Sequence, residues 1–597
     1  MPATGSLYLT RSKSRGANGK VYEYAYLRYD VKDGKKGRWQ PVTVASLGRY
    51  DDLEEWRARS LVDFLREWVR KDSSLPFDAL KRRFEMAEPV MRILCSRDFG
   101  FRFLFEQAWR ELGYGKALAE VLADSAKAHR IEIAIFAMVL VQLLAPQSKR
   151  GMREWADIEV FFPEAKAIEL GDMYEALDVL AANYDLVEKR LAEALRERGA
   201  VPVEFAQDTT TIVCHVRYDD AERAEIEKQR QDGGKAVRKA VVNDPPLRMR
   251  GHSKEKRADL PQVKVNAVLG NTGLIVHHET VAGNQSDATL VEPAVKARQN
   301  LGYAQVSWTS DAAFNSVRNR EVLRAADFEF VSAEGKTRSR VVKEVLSRAG
   351  RYAPHPDKPE VSFKCVVAEA IEEREKGKLD PQRLYVVRRN AEEERYALQT
   401  LERHLAKIEA VLANGGEQAE KLLHHRTYKR YVRRDARKKD AKGRPAGPVI
   451  LDRAAIEWAR HTAGKSVIAT DALDVAPLVA DDLYRMIYDL ERVFRELKST
   501  LKVGPVRHRR ADRIRGHVMV AVMAHNLGAW LASRTGRSIE AIRRLLANLR
   551  VQEVELGGAR FWQRTELEPE QEELFTKLGY DPPPERFTVE MATRGTN

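Results

Sequence analysis

At 597 residues the chain is long enough for several domains with sizeable cores. Its formal net charge of +14 favours a polyanionic partner, nucleic acid first. The three cysteines, Cys95, Cys214 and Cys365, stand far apart with no Cys-x-x-Cys pair, which excludes a zinc finger or a disulfide framework and fits a reducing compartment.

The chain opens Met-Pro-Ala-Thr-Gly-Ser, without an apolar leader. Residues 6–48 alternate as strands do: Leu7-Tyr-Leu, Val21 to Leu27 and Pro41 to Leu47, with turns at Gly16-Ala-Asn-Gly and Asp33-Gly-Lys-Lys-Gly. Cations crowd those turns. Residues 1–50 therefore read as a small basic β-unit, either a contact for a phosphate backbone or a solvated meander. Residues 51–200 read as helical, with three-four apolar spacing in Leu53–Val69, Phe101–Leu112, Lys116–Ala123, Ile131–Ala145 and Met173–Arg198. The Ile131 run is short of the ~20 residues a membrane span needs, so it reads as a buried core helix. We expect this domain to bind DNA, to dimerise, or both.

At Val201 the period changes to two. Val201, Val203 and Phe205 lead into Gln207-Asp208-Thr-Thr-Thr, a strand ending in an acid. Such an acid is a metal ligand or, more commonly, a turn former. Residues 219–260 read as too polar for core and close with Gly251-His-Ser-Lys254-Glu-Lys256-Arg257-Ala-Asp259-Leu-Pro-Gln262. Strands Val263–Leu269 and Leu274–Val281 join at Gly270-Asn-Thr-Gly273. Gly283-Asn-Gln-Ser-Asp287 starts a helix over Ala288–Leu301, capped by Ser286 or Asp287. A strand over Gln305–Ser310 runs into Asp311-Ala-Ala-Phe314. Helix Ser316–Ala326 and strand Phe328–Ser332 follow.

Residues 336–470 interrupt this pattern for so long that they need a domain of their own, helical and basic. Leu398, Leu401, Leu405, Ile408 and Leu412 mark a helix ended by Asn414-Gly-Gly416. Arg426–Arg444 interleaves cations, Arg430 and Arg433 among them, with Tyr428 and Tyr431, which suits a phosphate backbone or a solvated linker. Ser466–Thr470 reads as a returning strand. Over Leu483–Lys498 a helix sorts its residues into two stripes. Leu483, Ile487, Leu490, Phe494, Leu497 and Leu501 form one. Tyr484, Tyr488, Glu491, Arg495 and Lys498 form the other. A carboxylate among cations and phenols suits a place where a metal ion and phosphates meet; a surface helix with a Glu491–Arg495 pair carries the same pattern. Arg507–Arg515 is a second basic cluster, and Ala511–Ser533 reads as an amphipathic bracing helix. The pairs His277–His278 and His424–His425 are not expected to chelate metal. The tail, 561–597, is acidic and Pro-rich after Gln563 and receives no role.

Taken in order, these blocks resemble a DDE transposase of bacterial insertion sequences, in the insertion-sequence-four-like superfamily whose signature is Tyr-x2-Arg-x3-Glu-x6-Lys. Tyr484, Glu491 and Lys498 hold that spacing, and Ile487 stands where the arginine belongs. The contact expected of that arginine would fall to Arg485 or Arg495. Asp208-Thr-Thr-Thr, Ser310-Asp-Ala-Ala-Phe, the two Gly-led blocks at 251–262 and 283–287, and Pro505-Val-Arg-His508 with Asp512–His517 carry the rest of the likeness, over 200–530. The resemblance implies an α/β ribonuclease H-like core, a mixed sheet flanked by helices, assembled from 201–335 and 471–560. It implies Asp208, Asp311 and Glu491 as catalytic acids holding two Mg2+ (Mn2+ substituting), with Asp208 bridging both. Tyr484, Arg495 and Lys498 would hold phosphates of the element's end, and Lys254, Lys256, Arg257, Arg430 and Arg433 are further candidate DNA contacts. The implied partners are the terminal inverted repeats, target DNA and a second copy of the chain, in the bacterial cytoplasm at the nucleoid, with no membrane. Two rivals are a ribonuclease H-fold nuclease or resolvase that cuts without joining, and a non-catalytic DNA-binding descendant. A strand-transfer assay separates the first, metal-dependent nicking the second.

Overall fold

The computed structural model describes residues 7–15, 21–32, 39–49, 91–232, 242–303, 307–335, 340–369, 382–438, 446–556 and 559–587. The helix expected over Leu53–Val69 and the two N-terminal turns lie outside the described residues. The three N-terminal strands, Leu7–Arg15, Val21–Lys32 and Trp39–Arg49, form an antiparallel sheet of their own. Alternation in the middle strand buries Ala25 and Leu27 on one face.

The described part of the next region, from residue 91, is mainly helical and also holds a strand. Arg92–Asp98 is a strand, paired with Arg550–Leu556 in a four-stranded sheet that also holds Ala559–Arg564 and Arg586–Phe587. Among its helices are α1 (Ala128–Leu144), α2 (Leu170–Ala182) and α3 (Tyr184–Glu197). The single helix expected over Met173–Arg198 is two, broken at Asn183, which closes α2 and opens α3. Helix α1 is buried along most of its length, and no single described helix is long and apolar enough to cross a membrane.

The central sheet has nine strands: β1 (Glu204–Val213), β2 (Gln262–Gly270), β3 (Ile275–Ala282), β4 (Ser307–Ser310), β5 (Glu329–Ala333), β6 (Ala353–Pro354), β7 (Val361–Glu369), β8 (Gln382–Asn390) and β9 (Lys465–Thr470). Their order is β6-β7-β8-β9-β5-β4-β1-β2-β3. Strands β1, β4 and β5 run parallel to one another, and every other pairing is antiparallel. Helix α4 (Val291–Asn300), reached through a 3-10 turn at Asp287–Leu290, follows β3. Ser316 caps the helix after β4 by accepting from Asn319 N.

Three expectations are corrected. Residues 336–470 are not simply helical, because they add β6 to β9 to the sheet; 391–462 gather around a separate small core that includes Leu401, Leu405, Ile408, Tyr431 and Ile456. The stretch 219–260 does enter the core. Asp220 and Arg248 are buried together, with Arg248 Nε and Nη2 donating to Asp220 Oδ1 at 2.9 and 2.5 Å, so each buried charge is matched. The C-terminal bracing helix, α6 (Ala511–Thr535), is not amphipathic. It is buried on nearly all sides from Val518 to Leu531 and packs on α1, α2 and β3. The tail also belongs to the fold, since the helix Pro569–Leu578 buries Leu574, Phe575 and Leu578.

Candidate active site

In the parallel pair β1–β4, Gln207 lies opposite Ser310. The next residue on each strand is an acid, so Asp208 and Asp311 leave neighbouring strands at one level. There β4 ends while β1 continues to Val213, and the acids stand at that step. Helix α5 (Pro477–Ser499) crosses the sheet over β1, β4 and β5. Pro477 suits its first turn, and its apolar stripe (Leu483, Ile487, Leu490, Phe494, Leu497, with Leu501 just beyond) is buried throughout. Burying that stripe leaves the other partly or fully exposed. Tyr484 is half-buried and edge-on to Tyr488 at 6.0 Å, while Tyr488 is 56% exposed. Glu491 and Arg495 are exposed.

The fields of these groups overlap. Burial pushes the Asp208 carboxyl up, Lys254 and the Thr209 amide pull it down, and Asp311 adds to the rise. Burial also pushes the Tyr484 phenol up, with Asp311, Tyr488, Glu491 and Asp208 all adding. The charges of all three acids thus act on one phenol. Carboxylates are the hard donors that Mg2+ takes, and Asp208 already holds a cation: Lys254 Nζ donates to its Oδ1 at 3.0 Å and also to the Thr209 carbonyl. That donor chemistry fits a divalent ion. Among the described residues no group of three or more His, Cys, Asp or Glu side chains is gathered to hold an ion.

The loop carrying Lys254 straps the site. Lys254 N donates to Thr211 Oγ1 at 3.1 Å, and next along, Glu255 Oε1 meets Lys498 Nζ at 3.0 Å. One residue ties the loop to β1 and the next ties it to α5. Its start packs on the other Gly-led block so closely that a Cβ on Gly251 would lie 2.5 Å from the Gly283 carbonyl oxygen. The two blocks are therefore one structure beside Asp208.

The remaining candidates divide. Ile487, at the signature-arginine position, is 3% exposed inside the core. Arg485 is committed to Asp481, with Nε to Oδ2 at 3.0 Å. The Arg495 guanidinium has no polar partner among the described residues. Arg257 is paired with Asp259 at 2.7 Å, and Lys256 is exposed with a left-handed backbone, φ 60°. Arg430, stacked at 5.0 Å over Tyr431, and Arg433 are exposed on the 391–462 unit. His277 and His278 both engage Glu188, and His425 stacks on Tyr428 at 4.1 Å.

One part of the site went unread in the sequence. Lys264 Nζ donates to Asp287 Oδ1 at 2.6 Å, and Thr209 Oγ1 donates to the same oxygen at 3.1 Å. The signal was present: in the apolar strand Val263–Leu269, Lys264 and Asn266 fall two apart and mark a polar face.

A family model for the transposase DDE domain matches residues 220–527, just over half of the 597-residue chain. The match holds Asp311 and Glu491 and begins past Asp208, which rests on the strand pairing. It implies a ribonuclease H-like fold, the arrangement seen in β3-β2-β1-β4-β5 with its crossing α5. No curated protein matches the chain. On that match, and with this geometry around it, the chain belongs to the transposase DDE domain family.

Proposed function

We propose that this chain is a DNA transposase of the insertion-sequence kind. It cuts at the ends of its element and joins the freed 3′-hydroxyl to target DNA, with Asp208, Asp311 and Glu491 as ligands of two Mg2+. The observation that carries this reading is the placement of Asp208 and Asp311 on adjacent parallel strands beneath a helix whose polar stripe holds Glu491. When bound, two such ions neutralise phosphate oxygens, activate the attacking oxygen and stabilise the leaving one.

The chain's own residues do the rest. Asp208 is buried, so its charge is costly without a cation beside it, and it is poised to take one. The Tyr484 phenol keeps its proton and can donate it in a hydrogen bond to a phosphate oxygen. Arg495, exposed and unpaired among the described residues, offers the guanidinium that Ile487 cannot. Lys498 and Lys254 are held by carboxylates and reach phosphate by exchanging those partners. Water is the first nucleophile and the released 3′-hydroxyl the second, in one site, with no covalent protein–DNA intermediate. Handling two ends together calls for two copies of the chain, acting on the bacterial chromosome.

The test is single replacement by the amide. D208N, D311N and E491Q should still shift end DNA in a gel, while nicking falls at least about 10³-fold. A variant that nicks normally removes its residue from the site. Joined products with target DNA are expected from the unaltered chain; cutting without joining would instead make it a nuclease or resolvase.

A further inference from the structure

Behind Asp208, across the β1 backbone, lies a polar cavity of about 260 Å³ lined by Thr209, Thr211, Lys254, Lys264, Asn284 and Ser286 among others. Alternation along β1 sends Thr209 and Thr211 to the face opposite Asp208. The one carboxylate in its described lining, Asp287, is already taken by Lys264 and Thr209. Beside that pair stand the Thr211 and Ser286 hydroxyls, the Asn284 and Gln285 amides and the His252 imidazole, with the Lys254 side chain at the boundary between cavity and acid. That donor set suits a phosphate oxygen. Lys254 is the connection, because its ammonium sits on Asp208 Oδ1 at 3.0 Å, where a divalent cation would bind. A divalent ion on the same carboxylate would compete with that ammonium.

We propose that this cavity receives a backbone phosphate of the bound DNA strand and that Lys254 is its gate, parked on Asp208 in the free protein and released to the phosphate when a divalent ion takes Asp208. This rests on the metal-binding reading of Asp208 given above. Linkage makes the exchange reciprocal: metal tightens DNA and DNA tightens metal by one factor. Lys254 is a positioning residue here, and its effect is read on binding.

The experiment measures Mn2+ binding to the full chain by electron paramagnetic resonance, with and without a short mixed-sequence duplex. In the unaltered chain the duplex should tighten Mn2+. In K254M, Mn2+ without DNA should bind about five- to tenfold tighter, as loss of a charge-assisted but partly exposed competitor requires, and the duplex should add less than it does in the unaltered chain. Ser286→Asp, which sets a negative charge in the cavity, should weaken both duplex binding and the effect of the duplex on Mn2+. The gate is overturned if K254M binds Mn2+ no tighter than the unaltered chain or keeps the full duplex effect. The cavity is overturned if S286D binds duplex and couples it to Mn2+ as the unaltered chain does. D208N separates the two levels: if it binds Mn2+ as well as the unaltered chain, the ion is not at Asp208 and the metal reading itself fails.

Discussion

Two buried acids show how residue-scale environment divides roles. Asp208 meets one ammonium and keeps a raised pKa, because burial outweighs its partners. Glu188 meets two histidines. Burial alone would raise it, but His277 and His278 outweigh that and hold it down at about 2. Burial lowers His277, and Glu188 more than reverses that, so its pKa ends above the ordinary value. The signs fix a stability window. The Glu188 contribution is complete above its ordinary 4.5 and is lost as pH falls toward about 2. The His277 contribution is complete below 6.5 and is lost as pH rises through its raised folded value. Urea midpoints across pH should therefore be highest between those limits. Glu188→Gln should flatten both limbs and cost about 3 kcal/mol, since it leaves a buried partner uncompensated. The sequence suggested that adjacent histidines point apart, yet both rings reach Glu188, which lies 89 positions from His277 and leaves no local signal. Arg495 carries a second residue-scale prediction. If its guanidinium meets a phosphate, Arg495→Ala should lower the slope of log affinity against log salt by about one for DNA binding. An unchanged slope would remove it from the interface.

At the scale of elements, local period was a good guide where one face is buried and a poor one elsewhere. Helix α5 declared itself through two stripes, and its apolar stripe is the one buried. Leu490, fully buried at its centre, should cost about 2–5 kcal/mol when replaced by Ala, read as a drop in urea midpoint with the m-value unchanged. Helix α6 misled because its charges crowd the first turns, while Val518 to Ala524 is apolar on all sides. The strand Arg92–Asp98 was illegible because its partner, Arg550–Leu556, lies far along the chain, and pairing over that distance leaves no local period. The Gly-led blocks at 251 and 283 were visible as blocks. Their contact was not, because close backbone approach depends on what the fold brings opposite a glycine.

For the whole molecule, topology does the work that sequence distance hides. Asp208 and Glu491 are nearly three hundred positions apart, yet β1 and α5 are packed together while β6 to β9 and the 391–462 unit are inserted between them. The succession of strands and helices over 201–335 was legible from local period, and β9 was read as a returning strand. The antiparallel strands β6 to β8 were not legible, since they were lost among the charged residues of a long interruption. Arg430 and Arg433, on the unit with its own core, and Arg495, on α5, are all exposed on a basic chain.

The central claim is that three acids from distant stretches serve one pair of ions on DNA. Anomalous diffraction from crystals grown with Mn2+ and an end duplex tests it most directly. The account predicts two manganese peaks about 3.5–4 Å apart, one touching Asp208 and Asp311, the other Asp208 and Glu491, with Lys254 withdrawn. Manganese bound elsewhere, with these carboxylates ligating none, would contradict it.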